Sequence, residues 1–416
     1  MDIIEKIMNI GEKEGFEVEI FISKGISSSI DLDGESVDSV ELSKDFGIGV
    51  RVIKNSKIGF AYSKKEDTEV VYKAMKNLVE DKFVSFAEKE KFKEPKGIFY
   101  KDVLELSEEE MLGDLILMRD IAKDEGVIVT GGGVSKSYEY NRIVNSNGVD
   151  VEEEFTYYSA YLSVIYENET GYEGLTKTKI FDVENIAKKS VELAKKSANG
   201  KTITYEGEIM LSPRALSSLL AYTLIPSFSA ENVQRNRSVL KDKLGEEVFG
   251  ENITIIDDGT LDNANHSSKV DGEGCPTKRT VLVENGVLKS YLYDIKRANI
   301  EDRDCTGNGM RGYSSLPYIS PSNFIIESVD KLENFDNYVY VNGVIGSHTS
   351  NPITGDFVVE VQNAFMVKNG EEIPIKKGLL SGNIFECLKE AIPLDDVEQR
   401  GRLISPSLVI KGHIVG

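Results

Sequence analysis

Val270-Asp271-Gly272-Glu273-Gly274-Cys275-Pro276-Thr277-Lys278-Arg279-Thr280 runs directly into Val281-Leu282-Val283-Glu284-Asn285-Gly286-Val287-Leu288-Lys289-Ser290-Tyr291-Leu292. The first part reads as a Gly-rich loop that delivers the chain into a hairpin. The second part lines one face with Val and Leu, and Glu284-Asn285-Gly286 supplies the tight turn. The reading is a β-rich second half, entered through a tightly turning loop.

The residues around this stretch extend the pattern. Further turn signals stand at Asn342-Gly343, Thr354-Gly355 and Asn369-Gly370, a short helix is expected near 382–391, and residues 406–415 are apolar and β-like. Upstream, residues 205–211 read as a strand. Ser212 then supplies an N-cap and Pro213 a first helical position. The helix they open carries Leu216, Leu219, Leu220, Tyr222 and Leu224, and Pro226 limits it.

The first half alternates helices and strands. Ile3, Ile4, Ile7 and Met8 recur at helical spacing, with Gly15 as the stop. Short strands are expected at 16–22, 27–32, 36–42, 47–53 and 57–61, with turns at Asp33-Gly34 and Asn55-Ser56. A helix over 67–81 precedes a charged linker or surface loop at 88–101. Ser107 and Glu110 form a capping box that opens a helix to about Lys123. A strand at 127–130 leads into Gly131-Gly132-Gly133, read as a turn. Asn147-Gly148 signals a hairpin, residues 152–166 a strand, and 183–198 a helix ended by Asn199-Gly200. The fold class is α+β: an α+β N-terminal region, then a β-rich C-terminal domain of antiparallel sheet or pseudo-barrel with one buried helix. The expected division is 1–90, 91–204 and 205–416, with no internal repeat.

Composition narrows the function. A chain of 416 residues with 40% hydrophobic and 29% charged residues has ample material for a packed core. Its 70 acidic against 49 basic residues give a formal charge of -21, which repels polyanions. No Lys/Arg cluster offsets this, so nucleic-acid binding is disfavoured. Cys275, Cys305 and Cys387 lie far apart without a CxxC pair, and the expectation is a reducing compartment and no disulfide framework. The start lacks a signal-peptide pattern, and no apolar run approaches the roughly 20 residues that span a bilayer. The expected location is cytoplasmic, with no membrane partner.

No catalytic constellation stands out. His266, His348 and His413 each lack a second His or an acidic residue at i+4, so no HExxH-type zinc site exists, and each is read as a surface or packing histidine. There is no Gly-x-Ser-x-Gly elbow. Cys275 lies nine residues from His266 but is read first as a small buried thiol. Asp257-Asp258 is uninformative in so acidic a chain, and Gly131-Gly132-Gly133 lacks the context of a phosphate loop.

The opening stretch, with Thr306-Gly307-Asn308-Gly309-Met310-Arg311 and Ser320-Pro321-Ser322-Asn323-Phe324, resembles the signature blocks of the TldD/TldE (PmbA) family, the peptidase U62 modulators of DNA gyrase. Asp45-Phe46-Gly47-Ile48-Gly49-Val50-Arg51-Val52 with Gly59-Phe60-Ala61 is similar to its N-terminal hairpin block. Gln234-Arg235-Asn236-Arg237-Ser238 and Ser405-Pro406-Ser407-Leu408-Val409-Ile410 resemble later blocks, so the likeness runs through nearly the whole length in order.

The resemblance implies an α+β N-terminal region and a β-rich C-terminal region that builds a cleft. In TldD-type members a helix carries HExxxH, a downstream Cys helps hold zinc, and the paired complex cleaves flexible peptides. The matching stretch here, 215–235, contains no His. That resembles the TldE/PmbA branch, whose members lack the zinc motif and pair with a TldD-type chain. The implied expectation is a subunit with no catalytic or metal residues of its own, zinc residing in a HExxxH-bearing partner. Unfolded peptide is the implied substrate, held by strand addition or in the cleft. Asp271, Glu273, Gly274, Thr277 and Arg279 are the candidate cleft residues, against a purely turn-forming role for the glycines. Alternatives are a homodimeric peptide-binding protein, a gyrase-related regulator, and a hydrolase using Cys275.

Overall fold

A computed structural model of the chain describes residues 2–328 and 337–416. The first helix, α1 (Ile3–Glu14), starts at Asp2, whose side chain accepts from the Ile3 amide, and ends at Gly15 with φ 69°. There follow β1 (Glu17–Asp33), β2 (Ser36–Lys54), β3 (Lys57–Ser63), α2 (Glu69–Lys76) and β4 (Val79–Glu80). After an irregular stretch come α3 (Lys101–Glu105) and α4 (Glu108–Asp124), the latter opened by the expected Ser107/Glu110 capping box. Then β5 (Ile128–Asn145), β6 (Asp150–Tyr166), β7 (Glu169–Lys177) and α5 (Glu184–Ser197) complete the first half.

The seven strands form one antiparallel sheet in the order β4-β3-β2-β1-β5-β6-β7. Three expectations are corrected here. The runs at 16–22 and 27–32 are one strand, and so are those at 36–42 and 47–53, because β1 pairs continuously with β2 and β5. Pairing on both sides overrides the polar Ser27-Ser28-Ser29 break. Gly131-Gly132-Gly133 is not a turn but lies inside β5, opposite Asp31, Leu32 and Asp33 of β1. A Cβ on Gly133 would sit 2.5 Å from the Tyr161 ring, so the missing side chains make room for neighbours across the sheet. The strand β7 was not anticipated. Its Gly171 and Gly174 dilute the β pattern, yet Gly171 is where α5 touches the sheet.

One face of this sheet is covered by helices. Ile4 and Ile7 of α1 and Val70 and Val71 of α2 pack on Ile20, Ile48, Val50 and Val52. Met111, Leu115 and Met118 of α4 and Ile186 and Val191 of α5 pack on Ile30, Val134, Tyr158 and Leu162. The opposite face, carrying Phe21, Ile143 and Val151, meets the loops of the second half through Val270, Cys275 and Tyr313.

The second half opens with β8 (Tyr205–Leu211) and α6 (Pro213–Thr223), capped by Ser212 as expected. A 3-10 turn at Ile225–Phe228 and α7 (Ala230–Gln234) follow. Pro226 thus interrupts the 215–235 stretch, and no single helix runs through it. The chain continues through β9 (Ile255–Asp258), β10 (Arg279–Glu284), β11 (Val287–Leu288), α8 (Ile295–Glu301), β12 (Gly309–Met310), β13 (Tyr318–Ile319) and β14 (Phe324–Ile326). It ends with β15 (Asn337–Ile345), β16 (Asp356–Lys368), β17 (Glu371–Ile375), β18 (Leu379–Asn383), α9 (Ile384–Cys387), β19 (Ile392–Pro393), β20 (Glu398–Arg400), β21 (Leu403–Ser405) and β22 (Leu408–Val415). Asn342-Gly343 is a further correction: it lies within β15, with Gly343 opposite Gln362 of β16.

Strands β15, β8, β22, β18 and β16 close into a ring, since β16 pairs back onto β15. The pairing of β15 with β8 is parallel and the others are antiparallel. A second sheet runs β11-β10-β9-β14-β21-β20. Leu216, Leu219 and Leu220 of α6 join residues of both sheets in the largest core, so the helix is buried as expected. The hairpin read from the opening stretch forms between β10 and β11. A disulfide joins Cys275 to Cys305, which corrects the expectation of no disulfide framework. The two cysteines lie on loops that meet only in the folded chain, so spacing alone does not pair them. No helix among the described residues is long and apolar enough to cross a membrane.

The contact of β7 with α5 gives a direct test. A Cβ at Gly171 would stand 1.9 Å from the Ser190 carbonyl oxygen and 2.7 Å from the Ala194 amide. Gly171→Val is expected to lower unfolding stability by about 1–3 kcal/mol or more, as overpacking against backbone does. Urea denaturation measures it, and an unchanged midpoint would disprove the contact.

Candidate functional site

The sheet face not covered by helices carries an unusual set of side chains. On β1 and β2, Glu19 stands opposite Arg51 and Phe21 opposite Gly49. The glycines at 47 and 49 admit Tyr313 from the second half: a Cβ on Gly47 would fall 2.1 Å from its ring. Arg51 donates from Nε to Glu19 at 2.7 Å, from Nη2 to Glu19 at 2.9 Å and from Nη1 to Glu273 at 2.9 Å. Arg311 donates from Nη1 to Glu19 at 2.6 Å, and its side chain has no solvent exposure. Two guanidiniums and two carboxylates thus balance one another where the two halves meet. The paired carboxylates outweigh burial and hold the Arg51 guanidinium above its usual range, whereas burial lowers that of Arg311 to about 10.

Next to this cluster lies a cavity of about 370 Å³. Its sheet wall carries Phe21 of β1, Glu139, Asn141 and Ile143 of β5, and Glu153 and Tyr157 of β6. Loops of the second half close the other side with His266, Ser268, Asp271, Arg311, Tyr318 and Arg402. The volume falls within the range of small-ligand sites.

The five residues singled out from sequence separate in space. Asp271 lines the cavity. Its Oδ1 accepts from the Glu273 amide at 2.9 Å and the Cys275 amide at 3.0 Å, and its Oδ2 from the Gly309 amide at 2.8 Å. This carboxyl shapes its own loop, and burial together with nearby Glu273 pushes its pKa up. Glu273 sits behind it, pairing with Arg51 and accepting from the Ile295 amide at 2.9 Å. Gly274 turns the loop with φ 83°. Thr277 donates to the carbonyls of Gly259 and Ser268. Arg279 lies outside the cavity on β10, where it meets Glu327 at 3.4 Å.

His266, Glu153, Tyr157, Tyr318 and Arg402 were not found by sequence reasoning. They come from four separate segments, and no local spacing links them. Burial, with Arg402 nearby, pulls the His266 imidazole down to about 3, so the ring is neutral. Glu153 accepts from the Lys269 amide at 2.6 Å, yet burial pushes its carboxyl up to about 7. His348 and His413 are exposed and lie elsewhere.

Zinc is the metal that the resemblance implies for TldD-type chains. Leu219 and Leu220, inside the stretch that the resemblance likens to the zinc helix of TldD-type chains, are fully buried among apolar residues. Among the described residues no group of three or more His, Cys, Asp or Glu could hold a metal ion. The residues present do not fit the group. The arrangement offers a binding surface of hydrogen-bonding groups and two guanidiniums, that of Arg311 paired with Glu19 and that of Arg402.

Two outcomes follow from these charges. Arg51→Met leaves Glu273 buried without its guanidinium and should destabilise the fold by about 3–5 kcal/mol. Chemical denaturation reads this, and a loss under 1 kcal/mol would contradict the buried network. The second concerns Glu153, whose folded value of about 7 exceeds its ordinary 4.5. Its stabilising effect is complete below pH 4.5 and is lost as pH rises through about 7. Glu153→Gln removes this titration. Between pH 5 and 8 the variant should gain on the order of 1–3 kcal/mol relative to wild type. Parallel stability-against-pH curves would refute the assignment.

Three family models match the chain, covering residues 18–82 (PmbA/TldA metallopeptidase domain 1), 101–198 (the central domain) and 204–416 (the C-terminal domain). An uncharacterized protein of Methanocaldococcus jannaschii is 65% identical, with 99% of each chain covered. A metalloprotease of the same organism is 28% identical over 93% of this chain and 90% of its own. The crystal structure of TldE from Thermococcus kodakarensis superposes with a TM-score of 0.93 at 26% identity, covering 100% of both chains. The chain belongs to the PmbA/TldD family of metallopeptidases.

Proposed function

We propose that this chain is the peptide-holding, non-catalytic subunit of a TldD/TldE-type metallopeptidase complex. The observation that carries the reading is the composition of α6. The stretch where a TldD-type chain presents HExxxH here presents Leu219, Leu220 and Thr223, all buried, and then Pro226. Zinc peptidases need imidazole or carboxylate ligands and an open coordination position. This helix supplies neither. The likeness to TldE over the full length supports the same branch.

The surface supports a partner chain. β3 pairs with β2 only from Ile48 to Lys54, so residues 36–47 form a free edge. Val40 and Leu42 on that edge are 61% and 64% exposed. Long apolar edges are normally covered. The catalytic chain would supply zinc and its activated water, and this chain an interface and one wall of the peptide cavity.

The test is metal analysis and peptidase assay of this chain alone and mixed with the HExxxH-bearing relative from the same genome. The chain alone should hold no stoichiometric zinc and leave unfolded peptide intact. The mixture should cleave, and chelator should abolish cleavage. One tightly held zinc per chain, or chelator-sensitive cleavage by this chain alone, would overturn the reading.

A further inference from the structure

We propose that the cavity contains a carboxylate-binding site centred on Arg402, which takes the free carboxylate of a peptide. The inference rests on the reading of this chain as a peptide-holding subunit and names the chemical group it holds.

Arg402 stands between β20 and β21. Its Nη1 donates to the carbonyl of Pro321 at 2.7 Å and that of Ser322 at 3.4 Å, so fixed backbone positions hold the head group on the cavity wall. Those bonds occupy Nη1 alone. Among the described residues, Nε and Nη2 have no hydrogen-bond partner and are not sealed from the cavity. A guanidinium offers five donors in a rigid fork that matches a carboxylate.

Other part-buried guanidiniums show what is missing. Arg51 and Arg311 share Glu19, Arg400 holds Glu173, and Arg297 holds Glu231 at 2.9 Å. No carboxylate among the described residues lies within 4.0 Å of Arg402. Tyr318 and Tyr157 and then Asp257 act on it electrostatically, and the Asp257 Oδ2 is taken by Asn308 at 2.6 Å. Burial raises the Asp257 carboxyl to about 7, so it is a weak counter-ion near neutral pH. Burial draws the Arg402 guanidinium below its usual range, as expected for a cation without a close partner.

The surroundings fit one carboxylate and not several. The neutral His266 ring adds no cation, and Arg311, the other guanidinium lining the cavity, already donates to Glu19. Glu139 lies on the opposite wall, where it disfavours further acidic groups on the ligand, and Glu153 beside it adds to this as it ionises above about pH 7. Phe21, Tyr157 and Tyr318 give the neutral body of a peptide apolar and aromatic contact.

The experiment is titration calorimetry of the full chain with the hexapeptide acetyl-Leu-Ala-Ser-Gly-Leu-Ala. It is used as the free acid, as the C-terminal amide, and as an amide with Glu in the last position. The free acid should bind roughly tenfold more tightly than the plain amide, as one charge-assisted fork predicts. Arg402→Gln should erase that preference, and Arg402→Lys should keep part of it. Thermal unfolding of both variants verifies their fold. If the glutamine variant does not fold, the lysine variant and the wild-type contrast decide. Recovery of affinity by the Glu-bearing amide supports the site and shows that a side-chain carboxylate suffices. No recovery supports it and assigns the chain terminus. Equal binding of acid and plain amide by wild type overturns the carboxylate site and leaves the peptide-holding reading standing. So does a preference that survives in a folded glutamine variant. Absence of binding by all three peptides sinks both.

Discussion

Glu19, Arg51, Glu273 and Arg311 share one buried set of ion pairs, and the relation between the two halves depends on it. Glu19 and Arg51 come from adjacent long strands, Glu273 and Arg311 from loops more than 200 positions away. A charge carried alone into this interior would be expelled or neutralised. Glu19 and Arg51 pair within the first half, whereas Glu273 and Arg311 find their counter-charges only when the first half is in place. The Cys275–Cys305 pair and the apolar contacts of Phe21, Ile143 and Val151 lie beside the charges. Apolar packing supplies the attraction and the ion pairs supply the register.

That register fixes the cavity. Glu273 is held by Arg51, and two residues earlier Asp271 gathers three amides of the same loop and of β12. The wall carrying Asp271, His266 and Arg311 is thereby placed against β5 and β6. The glycines of the first half serve the same approach, since Tyr313 rests where side chains at 47 and 49 would stand. The motif around Gly47 and Gly49 is thus a docking seat for a distant loop.

Much of the fold was legible because its signals are local. The Ser107/Glu110 capping box, the Ser212-Pro213 helix start and the Asn285-Gly286 turn each act within a few residues. The misread elements are those decided by neighbours. Gly131 to Gly133 and Asn342-Gly343 look like turns until an opposing strand pairs with them, and Ser27 to Ser29 looks like a break until two strands flank it. β7 stayed hidden because its glycines make room for neighbours, Gly171 for α5 and Gly174 for Tyr161 and Tyr172. The candidate site was less legible for the same reason. Asp271 carried a local motif, whereas His266, Glu153 and Arg402 each sit in ordinary polar sequence and acquire their character only by burial together.

The ring of five strands has a consequence for how the molecule comes into being. Residues 408–415 do not decorate an edge; they run through the middle, between β8 and β18. During synthesis β8 waits some 200 residues for the neighbour that completes it. Until the final strand emerges, the leucines of α6 have no closed wall to pack against. The first half can settle early as a sheet with its own helices, while the second must remain open until residues 408–415 are in place. A chain lacking residues 408–415 would leave β8 and β18 without the strand that joins them, though most of the second half's elements would be present.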